Sequence, residues 1–144
     1  MTNRRKSSAL FLAAAFYLLA GVNHFISPGP YLKIMPPYLP WHLPLVYLSG
    51  VAEIAGGIGL LIPQLRRAAA WGLILLLIAV FPANVYMATA QIQMTAKPAP
   101  EWLAWARLPV QALLIWWLVW CALGSDRDAK VQLVPQRVDH DATS

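Results

Sequence analysis

Six polar side chains lie within long apolar stretches of this 144-residue sequence. They are Asn23, His24, Glu53, Asn84, Arg107 and Gln111. A carboxyl group, an imidazole, a guanidinium and three amides at a similar depth can exchange protons and hold the polar groups of a ligand. We therefore predict that the six residues form one site, in which Glu53 exchanges protons and the other five bind a ligand.

Glu53 is the residue whose position is most informative. It follows Pro44 by nine residues, which places it about 13 Å into a helix that begins at that proline. An acid near the middle of a membrane about 30 Å thick usually faces other helices and has a partner. Small residues, which let helices approach closely, recur beside it at Ser49, Ala52, Gly56 and Gly59. The alternative to a proton-exchanging carboxyl is a protonated Glu53 that only holds helices together.

The remaining polar residues have structural and functional interpretations as well. Arg107 and Gln111 are four residues apart and share one helical face. We expect Arg107 to begin the last helix, either as an interfacial anchor or as a partner of Glu53 or of an anionic ligand group. For His24 we predict hydrogen bonding or proton relay. A metal site of His24, His42 and Glu53 is the alternative, but no motif spacing supports it, so we predict no metal.

The segments that carry these residues are typical of a membrane protein. Apolar residues make up 59% of the chain and charged residues 12%, and about 20 apolar residues suffice to cross a membrane. The sequence predicts an all-α integral membrane protein, an antiparallel four-helix bundle with helices near 8–26, 44–62, 68–92 and 107–124. The predicted organisation is an N-terminal segment (1–7), a transmembrane domain (8–124) and a polar tail (125–144).

Basic residues predict the orientation. Eight lie in segments on one side of the predicted bundle: Arg4, Arg5, Lys6, Arg66, Arg67, Arg127, Lys130 and Arg137. Three lie on the other: Lys33, Lys97 and Arg107. The positive-inside rule then places both termini in the cytoplasm, in a multi-pass protein of the bacterial cytoplasmic (inner) membrane. Because no basic face is interleaved with accessible aromatic residues, we predict no nucleic-acid binding.

Four further features restrict the interpretation. The first apolar run continues to Ile26 without a signal-peptidase motif, so we expect it to remain as a helix. Cys121 is the only cysteine, which argues against a thiol–disulfide enzyme that acts alone. Prolines in residues 27–43 predict a rigid cap over the outer end of the bundle, with Tyr31 at the membrane interface. Pro82 predicts a kink in the third long helix, because it removes the N–H that would bond the Ile78 carbonyl. Asn84, two residues later, can offer polar groups to this opening.

The sequence resembles the DoxX family of small four-helix bacterial membrane proteins. The motifs that carry the resemblance are Gly21–Phe25, Pro36–Pro40, Ser49–Pro63, Arg67–Trp71, Phe81–Asn84 and Arg107–Gln111. They span nearly all of residues 10–122, and all six polar residues fall within them. The family takes its name from a subunit of a thiosulfate:quinone oxidoreductase, so the resemblance implies a link to redox or sulfur metabolism.

We therefore expect an auxiliary subunit of a membrane redox system that binds a quinone-like ligand in an outward-facing polar cavity. Its partners would be the lipid bilayer, an oxidoreductase protein and, in one alternative, further copies of itself. Two other functions are compatible with the same sequence. One is a small transporter or permeation module in which Glu53 titrates during transport. The other is a purely structural bundle whose polar residues fix the helix register.

Overall fold

The described part of the chain is built from helices. The computed structural model describes residues 2–90, 92 and 100–124, and every regular element in these ranges is helical. The elements are α1 (Thr2–Ile26), α2 (Pro28–Lys33), α3 (His42–Leu61), α4 (Arg66–Thr89) and α5 (Glu101–Leu118), followed by a π-helical turn (Val119–Leu123). The all-α prediction is confirmed for this part of the chain. Lys97 and the predicted tail, 125–144, lie outside the described residues.

Four of the described helices are long and apolar enough to cross a membrane. They cover Arg4–Ile26, His42–Leu61, Arg66–Thr89 and Glu101–Leu123. Many of their large apolar side chains point outward; Leu19 is 73% exposed and Ile26 is 75% exposed. An apolar surface of this extent is unusual for a soluble monomer. These features fit a multi-pass membrane protein.

The long helices pack one against the next in chain order. α1 packs on α3, α3 on α4 and α4 on α5, while the π-helical turn reaches back to α1 and α4. Lys6 Nζ donates a hydrogen bond to the Gly124 carbonyl (3.4 Å), so the start of α1 lies beside the end of the π-helical turn. We call this the lower end of the molecule. The upper end is where α1 and α4 end and α3 and α5 begin.

Glycines bring α1 and α3 into backbone contact near the upper end. A Cβ atom added at Gly21 would lie 2.7 Å from the Gly50 carbonyl oxygen, and one added at Gly50 would lie 2.8 Å from His24 Cβ. Real Cβ atoms essentially never come that close. Small residues at both positions therefore set the distance between the two helices that carry His24 and Glu53.

α5 begins earlier than the sequence predicted. It starts at Glu101, whose acidic side chain in the first turn suits the positive end of the helix dipole. The prediction that Arg107 begins this helix is wrong, because Pro109 was interpreted as a first-turn proline and instead lies inside α5. Arg107 is consequently the seventh residue of the helix. Pro82 lies inside α4, and the helix continues past it to Thr89.

The proline-rich connection between α1 and α3 covers the upper end. It contains α2, which packs on both α1 and α3. Within the connection, Ile34 and Pro36 are buried, whereas Tyr38 and Trp41 remain 72% and 77% exposed. The connection thus forms a cap over α1 and α3, the two helices that α2 contacts. Part of the cap is a helix that begins at a proline, where the missing N–H costs little.

Candidate functional site

The site is built around a buried histidine and an acid on neighbouring helices. His24, on α1, is 8% exposed, and its Nδ1 atom lies 3.4 Å from Glu53 Oε2 on α3. Glu53 Oε2 is itself enclosed and has no hydrogen-bond partner among the described residues. The contact is therefore electrostatic, and the geometry leaves a carboxyl oxygen available for another donor.

The surroundings of His24 determine which of its ring nitrogens carries the proton. Nδ1 lies 2.8 Å from the carbonyl oxygen of Ala20, and because a carbonyl only accepts, Nδ1 must be the donor. Nε2 makes no hydrogen bond to any residue that the structure describes. In the neutral ring Nε2 is then the basic nitrogen, which can take up a proton or accept a hydrogen bond from a ligand.

A tyrosine from the cap covers His24. The ring of Tyr31, in α2, stacks on the His24 imidazole, with centroids 3.9 Å apart and an interplanar angle of 21°. Asn23 Nδ2 donates to the Tyr31 hydroxyl (2.8 Å) and holds the ring in place. The sequence assigned Tyr31 only to the membrane interface, so its role over His24 was missed. Asn23 is exposed, and its side-chain hydrogen bond is to this tyrosine of the cap.

Tyr17 is a second residue that the sequence reasoning missed. Its side chain is 2% exposed, and its hydroxyl is buried without a hydrogen-bond partner among the described residues. Tyr17, Gly21 and His24 are spaced by four and three residues, so they lie on one face of α1. This spacing was visible in the sequence and could have placed Tyr17 beside the site.

Asn84 and Gln111 form a separate polar contact between α4 and α5. Asn84 Nδ2 donates to Gln111 Oε1 (2.9 Å), and Gln111 Nε2 donates to the Leu77 carbonyl. Leu77 precedes Ile78, whose carbonyl loses its helical partner at Pro82. Asn84 was expected to supply polar groups to this opening; instead it bonds Gln111, which reaches the neighbouring Leu77 carbonyl of α4. Asn84 and Gln111 bind each other, and no hydrogen bond or ion pair in the described residues joins them to His24 or Glu53.

Arg107 is not brought to Glu53. It is exposed on α5 and makes no hydrogen bond or ion pair with any described residue. The physical reason is the order of packing, since α5 rests on α4 and has little contact with α3. Of the six predicted residues, the structure thus brings together Asn23, His24 and Glu53 at one place, and Asn84 with Gln111 at another.

The alternative metal site is not supported. Within the described ranges, no group of three His, Cys, Asp or Glu side chains is arranged to hold a metal ion. His42 is engaged elsewhere: its Nε2 donates to the Pro36 carbonyl (3.1 Å) and ties the cap to the start of α3.

In its described part the protein is helical, with four helices long and apolar enough to cross a membrane. A His–Glu pair lies between two of these helices, and Tyr31 of the cap covers the histidine. The chain matches a family model over residues 12–122, from α1 into the π-helical turn, and belongs to that family, described as Domain of unknown function (DUF8561). No curated protein matches the sequence, and no solved structure matches it.

Proposed function

We propose that this protein is a multi-pass membrane protein of the DoxX type that binds a quinone-like ligand at the His24–Glu53 pair. In this proposal it is an auxiliary subunit, and an oxidoreductase partner supplies the electrons. The observation that carries the proposal is the pair itself. His24, whose Nε2 is free to accept a proton, lies against an unpartnered carboxyl oxygen of Glu53, and both residues lie on helices apolar enough to cross a membrane.

The membrane setting is supported by the four long apolar helices and by their exposed surfaces. Lys6, Arg66 and Arg67 are basic residues near the lower end of the molecule, close to the ends of the long helices. With that end in the cytoplasm, both termini face inward, as the positive-inside rule requires. His24 then lies in the outer half of the bilayer of a bacterial cytoplasmic membrane, and Glu53 lies near its middle.

The chemistry of the pair suits a lipid-soluble carrier of protons and electrons. A quinone takes up electrons and protons in equal number when it is reduced, and its carbonyl oxygens accept hydrogen bonds. A protonated His24 can donate from Nε2 to such an oxygen, and Glu53, which lies beside Nδ1, can balance the charge of the ring and exchange protons itself. Apolar walls with a few placed polar groups are typical of small-molecule sites. The planar Tyr31 ring stacks on His24 with one face, and its other face offers a surface for a flat ligand.

The auxiliary role is supported by the sequence. With one cysteine, the chain has no dithiol couple of its own, so the proposal assigns electron supply to a partner protein. Asn84 and Gln111 would hold α4 to α5 and so keep the bundle closed around the site. Arg107, exposed on α5, would anchor the helix at the outer membrane surface.

Equilibrium binding of a short-chain benzoquinone to protein in lipid nanodiscs tests the proposal. We expect saturable binding that weakens at least about tenfold in Glu53→Gln, equivalent to about 1.4 kcal/mol. Glu101→Gln is the matched control, because it makes the same change at an exposed acid on α5. Binding that does not saturate, or that is equal in wild type and both variants, would overturn the proposal.

A further inference from the structure

Two buried oxygen atoms in the described part of the chain have no hydrogen-bond partner. They are the hydroxyl oxygen of Tyr17 and Oε2 of Glu53. Burying a polar group without a partner is unfavourable, and native structures rarely leave one so. A pair of such atoms near one another therefore indicates an interaction between them or with something that both contact.

The helix register places the two residues on the same contact surface. Gly21 packs against the Gly50 carbonyl and Ile54, while lower down Gly57 packs against the Ala14 carbonyl and Leu18. In this antiparallel register, Glu53 lies opposite the stretch of α1 between Tyr17 and His24.

The two atoms are also complementary in chemistry. A tyrosine hydroxyl donates a hydrogen bond, and a carboxyl oxygen accepts one. His24 cannot satisfy Glu53 Oε2, because its Nδ1 proton is directed to the Ala20 carbonyl. Tyr17 is the buried donor that remains on this face of α1.

We propose that Tyr17 is a positioning residue of the site: its hydroxyl donates to a bridging water molecule, which in turn donates to Glu53 Oε2. The hydrogen bond fixes the carboxyl between Tyr17 below and His24 above, and it leaves the other carboxyl oxygen for proton exchange. This inference deepens the proposed function, since it rests on Glu53 as the proton-exchanging group.

Infrared difference spectroscopy of the ligand-free protein in detergent tests this hydrogen bond. The C=O band of the protonated Glu53 carboxyl is identified at acidic pH by its loss in Glu53→Gln. In Tyr17→Phe, which removes only the hydroxyl, we expect this band to move to higher frequency. The control is Tyr86→Phe, a partly buried tyrosine on α4, which should leave the band unchanged.

A second variant keeps every packing atom of the tyrosine ring. 3-Fluorotyrosine introduced at position 17 is a stronger donor, so the Glu53 band should move to lower frequency. A band that stays in place in both position-17 variants would overturn the inference. Because no quinone is present, that result would concern Tyr17 alone, whereas failure of the proposed function would appear in the nanodisc binding measurement.

Discussion

At the scale of single residues, the two nitrogens of His24 have different tasks. Nδ1 is held by the Ala20 carbonyl of the same helix and lies beside Glu53. Nε2 makes no hydrogen bond to any described residue, and the proposed function assigns ligand binding to it. The Ala20 bond fixes the ring orientation, while Tyr31 covers one of its faces. In the proposal, one nitrogen of this side chain makes the hydrogen bond that holds the ring, and the other nitrogen interacts with the ligand.

Two substitutions at His24 distinguish these tasks. His24→Asn places an amide near the position of Nδ1 and removes the group at Nε2, whereas His24→Gln places an amide near Nε2. We expect His24→Gln to keep more benzoquinone affinity than His24→Asn in the nanodisc binding measurement, with both variants folded by circular dichroism. Equal affinity in the two variants would contradict the assignment of ligand binding to Nε2.

At the scale of helices, the contact between α1 and α3 determines whether His24 and Glu53 meet. Gly21 and Gly50 face each other with no room for a side chain. The short helix α2, in the connection between α1 and α3, packs on both helices at the upper end. Any change that separates α1 from α3 should therefore affect the site as well as stability.

A glycine-to-alanine pair tests this dependence. In Gly50→Ala the new methyl group would lie 2.8 Å from His24 Cβ and from Phe25 Cε2, so we expect a loss of about 1–3 kcal/mol in unfolding free energy from overpacking. Gly72 on α4 has nothing within 4 Å of an added Cβ, so Gly72→Ala should be neutral or stabilising by up to about 1 kcal/mol.

Denaturant titration in detergent measures both variants, and benzoquinone binding should weaken only in Gly50→Ala. If Gly50→Ala were as stable as Gly72→Ala and bound the quinone normally, the close helix contact would not be what positions the site.

Helix content and residue depth were predictable from the sequence, but the choice of neighbouring helices was not. Long apolar runs gave four spans, and counting from Pro44 placed Glu53 deep in α3. Depth alone suggested one site, yet residues at one depth contact each other only if their helices pack together. Because α1 pairs with α3 and α4 with α5, Glu53 meets His24 while Gln111 meets Asn84.

Arg107 and Tyr17 show two kinds of missing information. Arg107 was misplaced because a proline two residues later resembled a helix start, whereas the stronger start at Glu101 was overlooked. Tyr17 shares a helical face with His24, which the sequence does contain. That its hydroxyl is buried without a partner depends on tertiary packing and could not be read from the sequence.

At the scale of the whole molecule, the proposal requires a defined orientation in the membrane. Lys6 and Gly124 lie together at the lower end, so the first and last long helices run in opposite directions. The site lies toward the upper end, under the α2 cap. An outward-facing site could exchange a quinone with the outer leaflet and a proton with the medium outside.

Cysteine labelling tests this orientation in intact cells. In a Cys121→Ala background, Lys33→Cys in the cap should react with a membrane-impermeant maleimide. Gln64→Cys, in the exposed turn between α3 and α4, should react only after the membrane is permeabilised. The reverse pattern of labelling would contradict the proposed orientation with both termini inside.

Native mass spectrometry of protein extracted from its own membrane in mild detergent is the most direct test of the ligand-binding claim. The account predicts a small molecule of quinone class retained in stoichiometric amount, kept in Glu101→Gln and lost in Glu53→Gln. A wild-type polypeptide that carries no small molecule, with a spectrum identical to that of Glu53→Gln, would contradict it. The buried polar residues would then have the role of fixing helix packing alone.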